Sequence, residues 1–274
     1  MENTKQTIDA LLKPESIAVI GASNTPGKIG YTIFEKLIAG NFEGELYPVN
    51  PKGGEIQGRK AYKSVKDIPG KVDGAIIAVP AKFTPSVVDE CGEKGVNAIT
   101  VITSGFSEVG NTELEELIVN KAHSHGIGVL GPNIIGVLSN SENMNASFAP
   151  LLPLEGKASL ISQSGALLIA LDMATYPRGV GFEKLISIGN MSDVNFGDLV
   201  EWLSEDEKTE AIALYIEGFK DGRYFIEKAR ASEKPIIALK SGTSEHGAAA
   251  AASHTGSLAG AAKVYSAAFE QAGV

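Results

Sequence analysis

Apolar residues in this chain gather in short, β-branched runs separated by stretches of helical period. The runs at 16–22 (SIAVIGA), 45–50 (ELYPVN), 74–80 (GAIIAVP), 97–105 (NAITVITSG) and 126–133 (GIGVLGPN) predict five strands. Between them, 30–39, 84–94 and 111–125 carry apolar residues three and four apart, as in Ile33, Leu37 and Ile38 or Leu114, Leu117 and Ile118, and predict helices. Strands apolar on both faces that alternate with helices imply a parallel sheet covered on each side. Residues 1–140 therefore read as a Rossmann-like unit.

Segment 139–157 (SNSENMNASFAPLLPLEGK) follows neither period and reads as a linker. The strand pattern then resumes at 157–162, 183–189, 209–218 and 234–242, with helices expected near 164–176, 196–204, 221–232 and 258–271. Residues 150–274 thus read as a second doubly wound α/β unit, flavodoxin-like in its layering.

Composition narrows the function. A chain of 274 residues, 43% hydrophobic, can bury two cores. A net charge of −9 argues against a nucleic-acid footprint. No uncharged apolar run approaches the roughly 18 residues a membrane span needs, and the N-terminus lacks a basic flank and apolar run, so a cytoplasmic protein is expected. The lone Cys91 excludes an internal disulfide framework and has no His nearby in sequence. No metal spacing joins His123, His125, His246 and His254; the first two read as surface residues at the polar end of a helix.

Chemistry concentrates in the turns after strands. The first turn, Gly21-Ala22-Ser23-Asn24-Thr25-Pro26-Gly27-Lys28, opens a helix whose first N–H groups can receive a phosphate. It is longer than the dinucleotide fingerprint, and the second strand ends in Asn50-Pro51-Lys52 without the carboxylate that NAD sites carry there. A lysine suits a phosphorylated ribose, as in CoA or NADP. Val79-Pro80 and Ser104-Gly105 lie at the same predicted sheet edge, and Gly131-Pro132-Asn133 closes the last strand of the unit with an amide able to meet a carboxylate or thioester. In the second unit Ser162-Gln163-Ser164-Gly165 sits between strand and helix, either an anion cradle or a plain helix cap. His254, in the small-residue run SHTGSLAG, is a candidate nucleophile, with Glu217 as the group that orients its ring.

GASNTPGKIG, GPN, SQSGAL, SIGNMSDVNFGDLVEWL, LYIEG and SHTGSLAG, in this order, resemble the α part of NDP-forming acyl-CoA synthetases. The acetate–CoA ligase branch fits better than the succinate–CoA ligases, which usually carry a Gly-His-Ala-Gly-type loop where this chain has Ser253-His254-Thr255-Gly256. The resemblance implies a CoA-binding first domain and a second that carries a phosphohistidine at His254, oriented by Glu217. It further implies an ATP-grasp β subunit that supplies Mg²⁺ and ADP/ATP, in a heterotetrameric α2β2 enzyme. Two other readings remain open from sequence: a non-catalytic CoA-sensing module, and an NAD(P)-dependent oxidoreductase that would leave SHTGSLAG unexplained.

Overall fold

The computed structural model describes residues 4–242 and 262–274. Helix α1 (Thr4–Leu12) leads into a parallel five-stranded sheet made of β1 (Ser16–Ile20), β2 (Glu45–Val49), β5 (Gly74–Ile77), β6 (Ala98–Val101) and β7 (Gly128–Leu130), in the order β2-β1-β5-β6-β7. A small hairpin, β3 (Glu55–Ile56) with β4 (Arg59–Lys60), lies outside it. Strands β1, β5, β6 and β7 are buried at every position, as expected of strands with helices on both faces. Helix α2 (Ile29–Ala39) follows β1, while α3 (Thr84–Lys94) and α4 (Thr112–Ser124) follow β5 and β6.

The second sheet has six strands in the order β13-β12-β10-β11-β8-β9. Its parallel part is β10 (Ala158–Ser162), β11 (Lys184–Ser187), β12 (Ala211–Ile216) and β13 (Ile236–Lys240), joined through α5 (Gly165–Thr175), α6 (Phe196–Glu205) and α7 (Gly222–Ala231). Helix α8 (Ala262–Ala272) packs beside α7. Both sheets are α/β, the first Rossmann-like and the second flavodoxin-like in layering.

A hairpin straddles the boundary that the sequence predicts: β8 (Gly136–Ser139), read as the end of the first unit, and β9 (Met144–Ser147), read as linker, pair with each other and extend the second sheet, β8 antiparallel to β11. Its polar composition hides it from a search for apolar runs. Asn145 and Ser147 are buried and bond each other at 2.6 Å, and the Asn140 amide donates to the carbonyls of Pro153, Leu154 and Phe182. Satisfied internally, these polar groups carry little of the usual burial cost.

One apolar core runs between the two sheets. Ile8, Leu12, Phe34 and Leu37 from α1 and α2 belong to the same buried cluster as Phe196, Leu199, Leu203 and Ile161. Each such fully buried large side chain contributes roughly 1.5–3 kcal/mol. A second cluster fills the α3/α4 face of the first sheet.

Candidate functional site

Both sheets reverse direction at their middle, and the predicted residues gather at those reversals. In the first sheet β1 and β5 are neighbours from which the chain departs in opposite senses; in the second, β10 and β12 are. Diverging connections leave a crevice beyond such strand ends. The crevice of the first sheet is bounded by Gly21 and Val79, and that of the second by Gln163 and Glu217.

Gly21 adopts φ +98°, and a Cβ there would stand 2.5 Å from the Ala78 carbonyl oxygen; one on Gly30 would stand 2.0 Å from that of Gly21. Turn and helix start are therefore pressed together as only glycine allows. Several polar side chains expected to meet a ligand brace the loop instead. Ser23 Oγ accepts from Thr25 N, Asn24 bonds the Glu55 carbonyl and the Gln57 N–H, and Asn50 Nδ2 donates to the Ala22 carbonyl while its Oδ1 accepts from Lys52 N. Gln57, in the β3–β4 turn, adds bonds to the carbonyls of Ser23 and Tyr31 and was not singled out from sequence.

What the loop offers outward is different. Helix α2 begins after Lys28 with no side-chain cap; the N–H groups of Tyr31 and Thr32 bond the Lys28 carbonyl, which leaves those of Ile29 and Gly30 for a ligand, and Gly27, Lys28, Pro51 and Lys52 are exposed. That donor set, two cations and an uncapped helix start with no carboxylate at the end of β2, fits the phosphates of CoA.

A cavity of about 680 Å³ starts at Ile29, the first residue of α2, and runs between the two halves. It brings together Ser104, Asn133, Gln163, Ser164, Gly165 and Glu217. Val79 and Pro80 lie at the sheet edge outside this lining, and Gly131 and Pro132 are buried behind Asn133. Gln163 Oε1 accepts from the backbone N–H groups of Glu217 at 2.6 Å and Gly218 at 3.0 Å, tying the ends of β10 and β12 together. Lys240 Nζ donates to the Glu217 carbonyl at 2.9 Å; burial pulls the Lys240 ammonium below its ordinary pKa, and the Glu217 charge opposes that shift. Phe219, next along, is anchored by stacking on Phe225 at 4.6 Å. Glu217 itself is half-buried on the cavity wall.

Ser164 caps α5: its Oγ accepts from Leu167 N at 3.3 Å. Ser162 is buried, and its hydroxyl both donates to the Ser164 carbonyl and accepts from Ser164 N. The two hydroxyls thus shape the turn. Gly165 and Ala166, the first residues of α5, line the cavity, where the first N–H groups of a helix can receive an anion. His254 and His246 lie outside the described residues.

Other groups at this wall carry no separate sequence signal. Glu108 accepts from Gly105 N at 2.5 Å, so that predicted donor is engaged by the chain itself. Burial works to raise the Glu108 pKa, but hydrogen bonds from Asn190 and the N–H groups of Gly105 and Phe106 outweigh it and hold the carboxyl below its ordinary value. His123, expected at the surface, is exposed and pairs with Asp193 at 2.9 Å, whose other oxygen accepts from Val129 N. Cys91 is fully buried, and burial pushes its thiol pKa far up.

Residues 15–140 match the CoA binding domain family, and residues 155–274 match the succinyl-CoA ligase like flavodoxin domain family. The chain is 52% identical to the acetate–CoA ligase [ADP-forming] I subunit alpha of Pyrococcus furiosus, over 98% of this chain and 60% of that protein. It is 50% identical to the acetate–CoA ligase [ADP-forming] of Methanocaldococcus jannaschii, over 95% of this chain and 37% of that one. Among solved structures, the dinucleotide forming acetyl-coenzyme A synthetase 1 of Ca. Korarchaeum cryptofilum, in complex with phosphate and ADP, superposes with a TM-score of 0.95 at 46% identity, covering 98% of this chain and 59% of that one. The chain thus spans about three-fifths of the length of these α-type relatives. Among the described residues, no helix is long and apolar enough to cross a membrane.

Proposed function

The chain belongs to the NDP-forming acyl-CoA synthetases, alongside the α subunits of ADP-forming acetate–CoA ligases, and from that premise we propose that it is the CoA-binding, phosphohistidine-carrying part of such a ligase. The observation that carries this reading is the cavity between the halves, which unites Asn133, the start of α5 and Glu217 on one wall and reaches the start of α2.

In this reading CoA lies along the edge of the first sheet, with phosphates near Lys28, Lys52 and the uncapped start of α2, and its acyl thioester enters the cavity. The N–H groups of Gly165 and Ala166 hold inorganic phosphate. A phosphate oxygen attacks the thioester carbon, the C–S bond breaks, and the thiolate takes up a proton. An imidazole nitrogen of His254 then attacks phosphorus; the bond to the acyl oxygen breaks and the carboxylate leaves. Glu217 hydrogen-bonds the other ring nitrogen and stabilises the cation that phosphorylation creates. Such transfers depend on positioning and charge neutralisation, which the helix start and its N–H groups supply. A partner of ATP-grasp type, in an α2β2 assembly, would pass the phosphoryl group from His254 to ADP with Mg²⁺. The two halves would divide the work in the cytoplasm: the first sheet for CoA and the second, whose edge strands β8 and β9 move the boundary ahead of the expected 140–150, for phosphoryl transfer.

Calorimetry with CoA and a turnover assay of the complex with its partner test this division. His254→Ala is expected to abolish turnover while leaving CoA affinity within about twofold of wild type. Failure of the wild-type chain to bind CoA, or equal loss of both properties in the variant, would refute it.

A further inference from the structure

Asn190, in the turn after β11, sits at the centre of a polar network that the reaction above does not use. Its Nδ2 lies 2.7 Å from Glu108 Oε2, 2.8 Å from Glu115 Oε2 and 3.1 Å from Ser107 Oγ. Its Oδ1 accepts from Asn133 Nδ2 at 3.2 Å, and its backbone N–H donates to the Pro132 carbonyl at 3.1 Å. The turn is held rigidly on both sides. Met191 has φ +52° although it is not glycine, and a Cβ on Gly189 would fall 2.4 Å from the carbonyl oxygens of Pro132 and Asn133.

An amide can be turned either way in a site, and here the neighbours decide. Ionised carboxylates only accept hydrogen bonds, so two of them on one side force the nitrogen of Asn190 toward Glu108 and Glu115. Its oxygen must then face Asn133, and Asn133 must answer with its own nitrogen. The Asn133 backbone is fixed independently by its N–H bond to the Thr103 carbonyl at 3.0 Å. Among the described residues, one N–H and the carbonyl oxygen of the Asn133 side chain have no partner and are left for whatever occupies the cavity.

We propose that Asn190 is a positioning residue: held by Glu108 and Glu115, it fixes the orientation of the Asn133 amide so that an N–H of Asn133 meets the thioester carbonyl of acyl-CoA. This rests on the proposed ligase reading, in which acyl-CoA enters this cavity. Free CoA has a thiol in place of that carbonyl, so the arrangement favours acyl-CoA over CoA.

The test is calorimetric affinity for acetyl-CoA and for CoA, measured on the full chain as wild type, Asn133→Ala, Asn190→Ala and the double variant. Each single change is expected to lower the acetyl-CoA to CoA affinity ratio roughly three- to tenfold, the span of one hydrogen bond. Because Asn190 acts through Asn133, the double variant is expected to be no worse than Asn133→Ala. Asn190→Ser, polar but too short to reach Asn133, replaces the alanine variant if that chain does not fold, and the same loss of ratio is expected. A wild-type ratio in the Asn190 variants, losses that multiply in the double variant, or a wild-type chain that binds CoA without preferring acetyl-CoA would each overturn the positioning role alone. A wild-type chain that binds neither would remove the ligase reading and this inference together.

Discussion

Removing the Asp206 carboxylate should loosen the joint between the two halves by a calculable amount. Asp206, just after α6, is fully buried at its side chain and accepts from Lys13 Nζ at 2.8 Å, Lys184 Nζ at 2.9 Å and Thr209 Oγ1 at 2.8 Å. Lys184 is itself fully buried and also meets Glu183 Oε1 at 2.9 Å. Lys13 comes from the end of α1, so the cluster joins the first half to the second; Trp202, with Lys13 4.7 Å from its ring centre, donates to Asp9 nearby. Burial works to raise the Asp206 pKa, but the hydrogen bonds from Lys13 and Lys184 win and lower it from 3.8 to about 2. A depressed carboxylate stabilises the fold above its unfolded pKa and loses that contribution as the pH falls through its folded one. The shift corresponds to about 2 kcal/mol at neutral pH. Asp206→Ala also leaves Lys184 buried with one partner fewer, and breaking such a buried pair costs about 3–5 kcal/mol. In urea unfolding at pH 7 we expect Asp206→Ala to be destabilised by about that much. Asp206→Asn is expected to lose about 2 kcal/mol or more, with its gap to wild type closing as the pH drops from 4 toward 2. A loss under about 1 kcal/mol for Asp206→Ala, or a gap for Asp206→Asn that does not narrow in acid, would refute the reasoning.

Three further outcomes are expected. Gly21→Ala should weaken CoA binding more than tenfold, since a Cβ at φ +98° lies 2.5 Å from the Ala78 carbonyl oxygen; calorimetry with a normal affinity would count against the loop as the phosphate site. Gln163→Ala frees the N–H groups of Glu217 and Gly218, and should slow single-turnover phosphoryl transfer roughly tenfold while CoA affinity stays put; an unchanged rate would dismiss the brace. Glu217→Gln keeps the shape but removes the charge, and should slow histidine phosphorylation about a hundredfold in single-turnover assays, whereas wild-type kinetics would remove Glu217 from the mechanism.

The strand and helix rhythm was legible because buried parallel strands must be apolar on both faces, as β1 and β5 to β7 are. The hairpin β8–β9 was not, because Asn145 and Ser147 meet their bonding needs inside the protein and leave no apolar signature. At the site, the turns after β1, β10 and β12 could be read from glycine, serine and their place between strand and helix. The division of labour within them could not. The cap at Ser164 was legible as one of two alternatives because its partner, Leu167, is three residues on, whereas Asn50 braces the loop only through a partner found in three dimensions, the Ala22 carbonyl. Asn190 lay in a segment recognised only as part of a family motif, and its partners Glu108 and Glu115 are 82 and 75 residues away. A still longer separation, 193 residues, hides Lys13 from Asp206.

The most direct test of the central claim is to give the chain and its ATP-grasp partner acetyl-CoA and radiolabelled phosphate without ADP, and to locate the label. The account predicts one acid-labile, base-stable phosphoryl group on His254, discharged on addition of ADP and absent from His254→Ala. A wild-type complex that releases CoA yet carries no label on His254 would contradict it.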